Sequence, residues 1–316
     1  MTAIDLSKLA VPPSIANGIL VRHPTIVIAI PCYNEEQHLG RAIQSLLDQS
    51  WSDFAVLISD NASTDGTAAI ADAAAARDPR FHVVHQPRNV GSAANFNFAI
   101  DSSDSPLFMW LGAHDYLDPT FLSKTIPPML EDPRLAVSYC HAAWVDLDEK
   151  VYRVTTSEGL DRMPGGGLLR AALLPRQVDD YCTEVYCVLR RKLVGARFTT
   201  TIGNDVIMLG DLAFRGPFHC TPEPLYFALR EPDDARAESR MKRLSGTDIP
   251  EDNGPFIAAY LDHLKTLGRG DPKLPAVLFL TRAIMEKRFA PEHMGVGAKM
   301  LSLLGRLKSL ARRQDK

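Results

Sequence analysis

The stretch TIVIAIPCYNEEQHLGRAIQSLLDQSWSDFAVLISDNASTDGT, residues 25–67, decides the fold. It begins with a short run rich in β-branched residues, TIVIAIP, which is typical of a buried strand. The next segment, EEQHLGRAIQSLLDQS, has the apolar spacing of a helix, and FAVLISD then has the pattern of a second strand. A strand, a helix and another strand in this order predict a βαβ unit, whose two strands run parallel.

The same alternation continues along the chain. TAAIADAAAARD has the pattern of a helix, FHVVHQ that of a strand, RNVGSAANFNFAID that of a polar turn around a glycine, and PLFMWLG that of another strand. This order predicts an α/β fold with a doubly wound, mostly parallel sheet. Ligands of such sheets bind beyond the carboxyl ends of the strands. A site is therefore expected just after Pro31, Asp60, Gln86 and Leu111.

Composition and charge restrict the class of protein. A chain of 316 residues, 46% apolar and 23% charged, is typical of a globular protein with a substantial core. The net charge of −3 gives no basic excess, so no nucleic-acid partner is expected. The five cysteines form no CxxC pair, which argues against structural zinc and favours a reducing compartment.

The apolar pattern also bears on location. The N-terminus lacks the layout of a signal peptide, and no apolar run reaches about 18 residues. We therefore expect a cytoplasmic protein, or one held at a membrane only from its inner face.

Polar side chains follow each of the four predicted strands, and the GxGxxG of a dinucleotide site is missing after the first. Tyr33 could stack on a nucleobase, and Asp60 or Asn61 could hydrogen-bond to its edge. Backbone amides of RNVGSAAN could bind phosphate or sugar hydroxyls. His114 and Asp115 could hold a divalent cation beside a diphosphate. Together these residue types at one sheet edge predict a nucleotide site.

Each of these features, taken singly, has an ordinary explanation. Asp65-Gly66 is typical of a turn with a helix cap, and Tyr33-Asn34 of a loop. A lone histidine after a strand is usually a hydrogen-bonded loop residue. Only the joint placement of these residues at successive strand ends favours a site.

On these residues the chain resembles the family 2 glycosyltransferases, which have the GT-A fold. The resemblance rests on residues 25–67, RNVGSAANFN and WLGAHDYLDP; it is strong over about residues 24–135 and weaker to about residue 230. It implies a GT-A fold with an acceptor-side region and a C-terminal helical tail. It also implies a nucleotide-sugar donor, for which the candidate binding residues are Pro31, Tyr33, Glu35, Asp60, Asn61, Asn89, Gly91, Asn95 and Ala113.

The segment GAHDYLDP aligns with the family's DxD motif, which binds the donor and its metal ion. Gly112 stands in place of the first aspartate, and His114 in place of the aspartate that usually coordinates the metal. A neutral imidazole is a good ligand for ions such as Mn²⁺. The resemblance therefore implies a modified metal site, in which His114 and Asp115 bind Mn²⁺ or Mg²⁺.

Later residues supply further candidates for the diphosphate side. His219 is either an additional metal ligand or a hydrogen-bonded loop histidine. Arg230 lies where enzymes of this fold can bring a late residue to the diphosphate. Arg190 and Arg191 are either phosphate contacts or a solvated pair.

Family 2 enzymes are usually inverting and need a carboxylate base near the acceptor hydroxyl. Asp205 in TIGNDVIMLGDLAFRG resembles the family's acidic motif at a helix start, so it is the candidate catalytic base. A carboxylate that only caps the helix is the alternative. Asp211, nearly two turns later, is expected to face solvent or a salt bridge. A retaining reaction stays open, because fold does not fix stereochemistry.

These patterns divide the chain into five parts: an N-terminal extension (1–23), a nucleotide-sugar-binding half (24–135), an acceptor-binding and catalytic half (136–232), a charged linker (233–253) and a helical region (254–316). The last part ends in a basic amphipathic segment, residues 298–316. This layout is typical of a helix on an anionic membrane, and equally of a helix that docks on the catalytic domain or in a homo-oligomer contact.

The sequence thus predicts a hexosyltransferase-type enzyme that moves a sugar from a nucleoside diphosphate, with UDP favoured, to a glycan or glycolipid acceptor of the cell envelope. A sugar nucleotidyltransferase is one alternative, but it would need a glycine-rich basic loop where PCYNEE lies. A non-catalytic nucleotide- or glycan-binding relative is the other. Gly112 and His114 favour that alternative, whereas Asp115 and Asp205 argue against it.

Overall fold

The computed structural model describes residues 24–157, 159–178, 182–199, 203–230 and 254–289. The strands in these ranges are β1 (Ile26–Cys32), β2 (Phe54–Asp60), β3 (Phe81–His85), β4 (Leu107–Trp110), β5 (Tyr116–Leu117), β6 (Val137–Val145), β7 (Val151–Thr155), β8 (Val188–Arg190) and β9 (Phe218–Leu229). The α-helices are α1 (Leu39–Leu47), α2 (Thr67–Arg77), α3 (Ser92–Asp101), α4 (Phe121–Glu131), α5 (Gly167–Leu173), α6 (Asn204–Arg215), α7 (Gly254–Leu267) and α8 (Leu274–Phe289).

The strands form one sheet in the order β3-β2-β1-β4-β8-β6-β9-β5, with β7 paired to β6. Strands β1 to β4 pair in parallel, and so do β6 and β9. Strand β8 is antiparallel to β4 and β6, and β5 is antiparallel to β9. The predicted α/β architecture with βαβ units is therefore confirmed, and the carboxyl ends of β1, β2, β3 and β4 lie along one edge.

Burial explains why the first strands form so regularly. Every residue of β1 and β2 is buried, as the continuous apolar runs predict for strands covered on both faces. Helix α1 buries the stripe expected from its sequence, including Leu39, Ile43 and Leu46. The center of the sheet is thus a rigid base for the loops that follow each strand.

One segment differs from its sequence pattern. RNVGSAANFNFAID was expected to be a turn, but its last ten residues form α3. The buried face of this helix includes Asn95, Phe98 and Ala99, so a polar side chain occupies part of the stripe that is usually apolar. Because Asn95 is polar, the sequence does not show the regular apolar spacing of a helix here.

An aromatic cluster attaches the segment before α6 to the first half of the sheet. The ring of Phe198 lies 5.2 Å from Phe96 of α3 and 5.2 Å from Trp110 of β4, centroid to centroid. Asn97 donates to the carbonyl of Phe198 at 2.8 Å and accepts from its amide at 2.9 Å. This contact helps to place the segment that leads towards α6 beside the strand ends.

The predicted helical region that begins at residue 254 contains α7 and α8. The N-terminal extension 1–23, the charged linker 233–253 and the basic segment 298–316 lie outside the described residues. None of the helices in the described part of the chain is long and apolar enough to cross a membrane.

Candidate active site

The loops after β1 and β2 are joined by hydrogen bonds between side chains and backbone. The carboxamide of Asn34 accepts from the amide of Thr64 at 2.8 Å, and the amide of Asn34 donates to the hydroxyl of Ser63 at 2.9 Å. Glu36 accepts from the amide of Gly66 at 2.7 Å. These contacts hold PCYNEE and SDNASTDGT together, as their placement at neighbouring strand ends predicted.

Asp60 ends β2 and is almost fully buried. One carboxylate oxygen accepts from the amide of Ser63 at 3.1 Å, and the other lies 3.0 Å from Nδ1 of His85, the last residue of β3. Asn61 bridges to the next loop, because its amide donates to Asn89 at 2.9 Å. Its carbonyl oxygen accepts from the amide of Val90 at 2.9 Å. The first-half candidates therefore form one connected group.

The remaining nucleotide-binding candidates occupy different environments. Pro31 and Ala113 are buried at the ends of β1 and β4, whereas the Tyr33 ring is exposed and available for stacking. Gly91 has a φ of 86°, which favours glycine at the turn before α3. Asn95 is buried, and its side-chain amide makes two hydrogen bonds to Ser59. The amide oxygen accepts from the Ser59 hydroxyl at 2.6 Å, and the amide nitrogen donates to the Ser59 carbonyl at 2.9 Å. Asn95 therefore joins α3 to β2.

Asp115 is held by groups from the far end of the chain. Its Oδ2 accepts from the Tyr226 hydroxyl at 2.7 Å, and its Oδ1 accepts from the Leu229 amide at 2.9 Å. The Arg230 guanidinium lies 3.3 Å from Oδ1. Burial alone would raise the pKa of Asp115, but His114, Arg230 and these hydrogen bonds hold it below its ordinary value. Asp115 is thus an ionised, fixed carboxylate.

Gly112 is required by this position of Asp115. A Cβ atom at residue 112 would lie 2.5 Å from Oδ2 of Asp115, closer than real Cβ contacts come. The carboxylate of Asp115 therefore occupies the space in which a side chain at 112 would begin. The missing first aspartate of GAHD and the tether of Asp115 are one structural feature.

His114 lies between two carboxylates, those of Glu35 and Asp115. Its Nδ1 is 3.3 Å from Glu35, and its Nε2 is 3.6 Å from Oδ1 of Asp115. A proton on Nδ1 shared with Glu35 would leave the Nε2 lone pair directed away from that carboxylate, the arrangement typical of a metal-ligating histidine. Glu35 therefore orients the His114 ring and links the loop after β1 to the loop after β4.

The His114–Asp115 pair fits part of a divalent cation site. Two ligand atoms that each lie about 2.1 Å from one ion can be 3.6 Å apart, although Leu229 and Arg230 compete for Oδ1 of Asp115. Over the ranges that the structure describes, no three His, Cys, Asp or Glu side chains are grouped to hold a metal. Further ligands would have to come from donor phosphates or water.

Asp205 lies in the first turn of α6 and keeps part of its surface accessible. Burial raises its pKa to about 6. Tyr186 connects it to the strand-end cluster: burial raises the pKa of Tyr186, Asp205 and Asp115 raise it further, and Arg230 opposes them. The ring of Tyr186 also lies 6.2 Å from that of Tyr226, which donates to Asp115. A carboxylate with a raised pKa in such a setting is suited to take up a proton.

Comparison with known proteins settles what this arrangement belongs to. Residues 27–198, more than half of the chain, match the family described as glycosyl transferase family 2. The chain belongs to glycosyl transferase family 2. The expected membership of this family is thereby confirmed.

Individual relatives agree with that assignment. The chain is 31% identical to TuaG of Bacillus subtilis strain 168, described as a putative teichuronic acid biosynthesis glycosyltransferase, over 34% of this chain and 43% of TuaG. S. aureus TarS 1–349, solved with UDP-GlcNAc, superposes with a TM-score of 0.63 at 14% identity, covering 88% of this chain and 77% of that one.

The mannosyltransferase PcManGT from Pyrobaculum calidifontis, solved with GDP-Man and Mn²⁺, gives a TM-score of 0.51 at 17% identity, covering 92% of this chain and 81% of that one. At these identities the two solved structures bear on the fold alone, and they confirm the GT-A fold. The chain spans about half the length, or less, of the first curated relatives it matches.

The fold does not bring every candidate residue to this cluster. His219 pairs with Ser138 near the start of β9, whereas Leu229, which contacts Asp115, ends that strand. Leu229 pairs with Val145, seven residues beyond Ser138 on β6, so at ~3.3 Å per residue His219 and Leu229 are roughly 23 Å apart. His219 therefore lies away from His114 and Asp115.

Two arginines of the chain donate to backbone carbonyls of neighbouring helices and loops. Arg190 is buried and donates to the backbone carbonyls of Met129 and Leu135, at 2.6 and 2.8 Å. Arg191 donates to the carbonyl of Ile100 at 3.0 Å. The solvated pair that the sequence suggested is therefore wrong for Arg190.

Sequence reasoning missed three residues of this family 2 site. Tyr226 and the Leu229 amide reach Asp115 because β5 pairs with β9, and no local pattern announces that pairing. His85, by contrast, ends the strand run FHVVHQ, so the rule that placed Asp60 at a strand end could also have found it.

Proposed function

We propose that this enzyme transfers one sugar, with inversion, from a UDP-sugar to a hydroxyl group of a glycan or glycolipid in cell-envelope polysaccharide synthesis. The observation that carries the proposal is the partly accessible carboxylate of Asp205, whose pKa is raised to about 6, on a chain that also fixes the Asp115 carboxylate beside Arg230. A carboxylate base for the acceptor and fixed charges for the leaving group match the needs of this displacement.

On the acceptor side, Asp205 accepts the proton of the attacking hydroxyl as its oxygen bonds to the anomeric carbon. A carboxylate with a pKa of about 6 is ionised at neutral pH and is still more basic than an ordinary aspartate. The bond from the anomeric carbon to the diphosphate oxygen breaks on the opposite face.

On the donor side, His114 and Asp115 would hold a divalent ion, either Mn²⁺ or Mg²⁺, and Glu35 would orient His114. Such an ion, when bound, neutralises negative charge on a leaving diphosphate. Arg230 supplies positive charge at the same place through its contact with Asp115. The PcManGT structure with Mn²⁺ is consistent with this assignment.

The donor and acceptor classes rest on relatives and on the first-half loops. TarS was solved with UDP-GlcNAc, and TuaG is named for teichuronic acid biosynthesis, which favours a uridine nucleotide and an envelope polymer. Tyr33, Asp60 and Asn61 supply a ring to stack on the base and polar atoms to meet its edge. Of the other candidates, Glu35 lies in the loop after β1, and Asn89 and Gly91 lie in the loop after β3, whereas Asn95 is buried against Ser59.

A thermal-shift panel tests the donor site. UDP, GDP, CDP and dTDP would be added with and without Mn²⁺ to wild type, His114→Ala and, as a matched control, His219→Ala. A ligand at 100 times its Kd stabilises a protein by roughly 2.7 kcal/mol. We expect a Mn²⁺-dependent shift with UDP in the wild type and in His219→Ala that is lost in His114→Ala.

Other results would change the proposal in defined ways. A shift with another nucleotide would replace UDP as the donor class. Equal shifts with and without Mn²⁺ would remove the metal from the mechanism. A panel without any shift would overturn the nucleotide-sugar site itself.

A further inference from the structure

His85 lies between two carboxylates at the carboxyl end of β3. Its Nδ1 is 3.0 Å from Asp60 of β2, and its Nε2 is 2.9 Å from Asp72 of α2. The Asp60 side chain is only 3% exposed, whereas those of His85 and Asp72 are 42% and 63% exposed. The imidazole thus connects a surface carboxylate to a buried one.

This geometry decides the charge of His85. An ionised carboxylate can only accept hydrogen bonds, and only the imidazolium carries a proton on both ring nitrogens. Both contacts are therefore satisfied together only when His85 is protonated. Burial lowers the pKa of His85, but the hydrogen bonds to Asp60 and Asp72 outweigh it and raise the pKa above its ordinary value.

These contacts hold the carboxylate of Asp60 in one orientation. Its Oδ1 accepts from the amide of Ser63, and its Oδ2 accepts from His85, which leaves the remaining lone pairs in fixed directions. A buried carboxylate is costly without such partners. His85 thereby supplies a hydrogen-bond partner that keeps Asp60 oriented.

We propose that His85, held by Asp72, is a positioning residue that fixes Asp60 as an acceptor for an N–H group on the edge of the donor nucleobase. This inference rests on the proposed function, because it needs a nucleotide at the ends of β1 and β2. A fixed acceptor selects uracil, which presents an N–H at ring position 3, over cytosine, which presents a lone pair there.

The proposal makes donor binding depend on pH. The charged groups that face His85 are Asp60 from β2 and Asp72 from α2, while His82 lies on the same strand as His85. As pH rises through the pKa of His85, the ring keeps one proton and can donate to only one of the two carboxylates. Asp60 then loses its fixed orientation, and affinity for the base falls.

The test measures the Kd of UDP and of CDP by calorimetry between pH 6 and pH 9 for wild type, Asp72→Asn, His85→Gln and His82→Gln. Losing one hydrogen bond to a charged group weakens binding by about tenfold or more. For His85→Gln we expect UDP affinity about tenfold lower, little change for CDP and no remaining pH step. For Asp72→Asn we expect the step at lower pH, with wild-type affinity below it.

Asp72→Asn changes an exposed side chain, so the test does not depend on whether His85→Gln folds. His82→Gln is the matched control, and it should keep the wild-type profile. The proposal is overturned if Asp72→Asn and His85→Gln both keep the wild-type affinities, base preference and pH profile. If the wild type binds no nucleotide at any pH, the proposed function itself fails. That outcome differs from nucleotide binding that is unaffected by the variants, which overturns only the role of His85.

Discussion

The first turn and the interior of helix α6 carry carboxylates in opposite surroundings. Asp205, at the start, has a pKa raised to about 6 by burial, and no side chain or amide of the described residues donates to it. Asp211, six positions on, would also have its pKa raised by burial, but His263 and Arg215 bring it down to about 2. The same helix thus carries one buried carboxylate without a donor among the described residues and one with several donors.

This difference separates the proposed catalytic base from a residue that holds the fold. Asp211 accepts from Arg215 at 2.8 Å and from the amide of Gly195 at 3.1 Å, and His263 of α7 lies 3.2 Å away. These bonds tie α6 to α7 and to the segment before it. No described residue gives Asp205 such partners, so its burial costs stability and leaves it suited to take up a proton.

The largest expected effect is on turnover. Asp205→Asn removes the proposed general base, and such losses typically slow a reaction by about 10³-fold. We expect kcat for sugar transfer to fall by that order while the Kd for UDP is unchanged. The comparison breaks if Asp211→Asn, its partner in the same helix, slows kcat as much as Asp205→Asn does.

Next in size is the stability lost in Asp211→Asn. The substitution leaves Arg215 and His263 facing each other without a carboxylate, which should lower the free energy of unfolding by about 3 kcal/mol at pH 7. Because the folded pKa is lowered, this contribution is present above the unfolded pKa near 3.9 and is lost as pH falls through about 2.

Denaturant titrations of wild type and Asp211→Asn at pH 7 and pH 3 measure that loss. The difference between the two proteins should shrink at the lower pH. A loss that stays the same size at both pH values would mean that packing, not charge, accounts for Asp211.

The smallest effect has the opposite sign. The folded pKa of Asp205 is raised, so ionising it costs stability above about pH 6 and costs nothing below the unfolded pKa near 3.9. Asp205→Asn should therefore raise the free energy of unfolding by about 2 kcal/mol at pH 8 and leave it nearly unchanged at pH 4. Melting curves at the two pH values check this, and destabilisation at pH 8 would contradict it.

Much of the first half could be predicted from the sequence, because its structure follows from local patterns. The continuous apolar runs of β1 and β2 predicted buried parallel strands, and strand order then placed Asp60, Asn61 and His114 at one edge. Each step needs only periodicity and the rule that parallel strands end together.

The second half could be predicted less well, because its contacts join residues far apart in the chain. Asp115 receives its hydrogen bonds from Tyr226 and Leu229 through the pairing of β5 with β9, and the two residues of β5 give no strand signal. The hydrogen-bond partners of Asp211 likewise come from Gly195 and α7. Whether a buried aspartate is paired or strained depends on these long-range neighbours.

Gly112 carries a consequence for how such a site can change over evolutionary time. Because a Cβ atom at 112 would meet Oδ2 of Asp115, an aspartate cannot return there while Tyr226 holds that oxygen. The hydroxyl of Tyr226 has to be lost, or Asp115 has to swing away, before the reversion is tolerated. The residues at positions 112, 115 and 226 are therefore coupled. Gly112→Asp should destabilise the fold less in a Tyr226→Phe background than in the wild type.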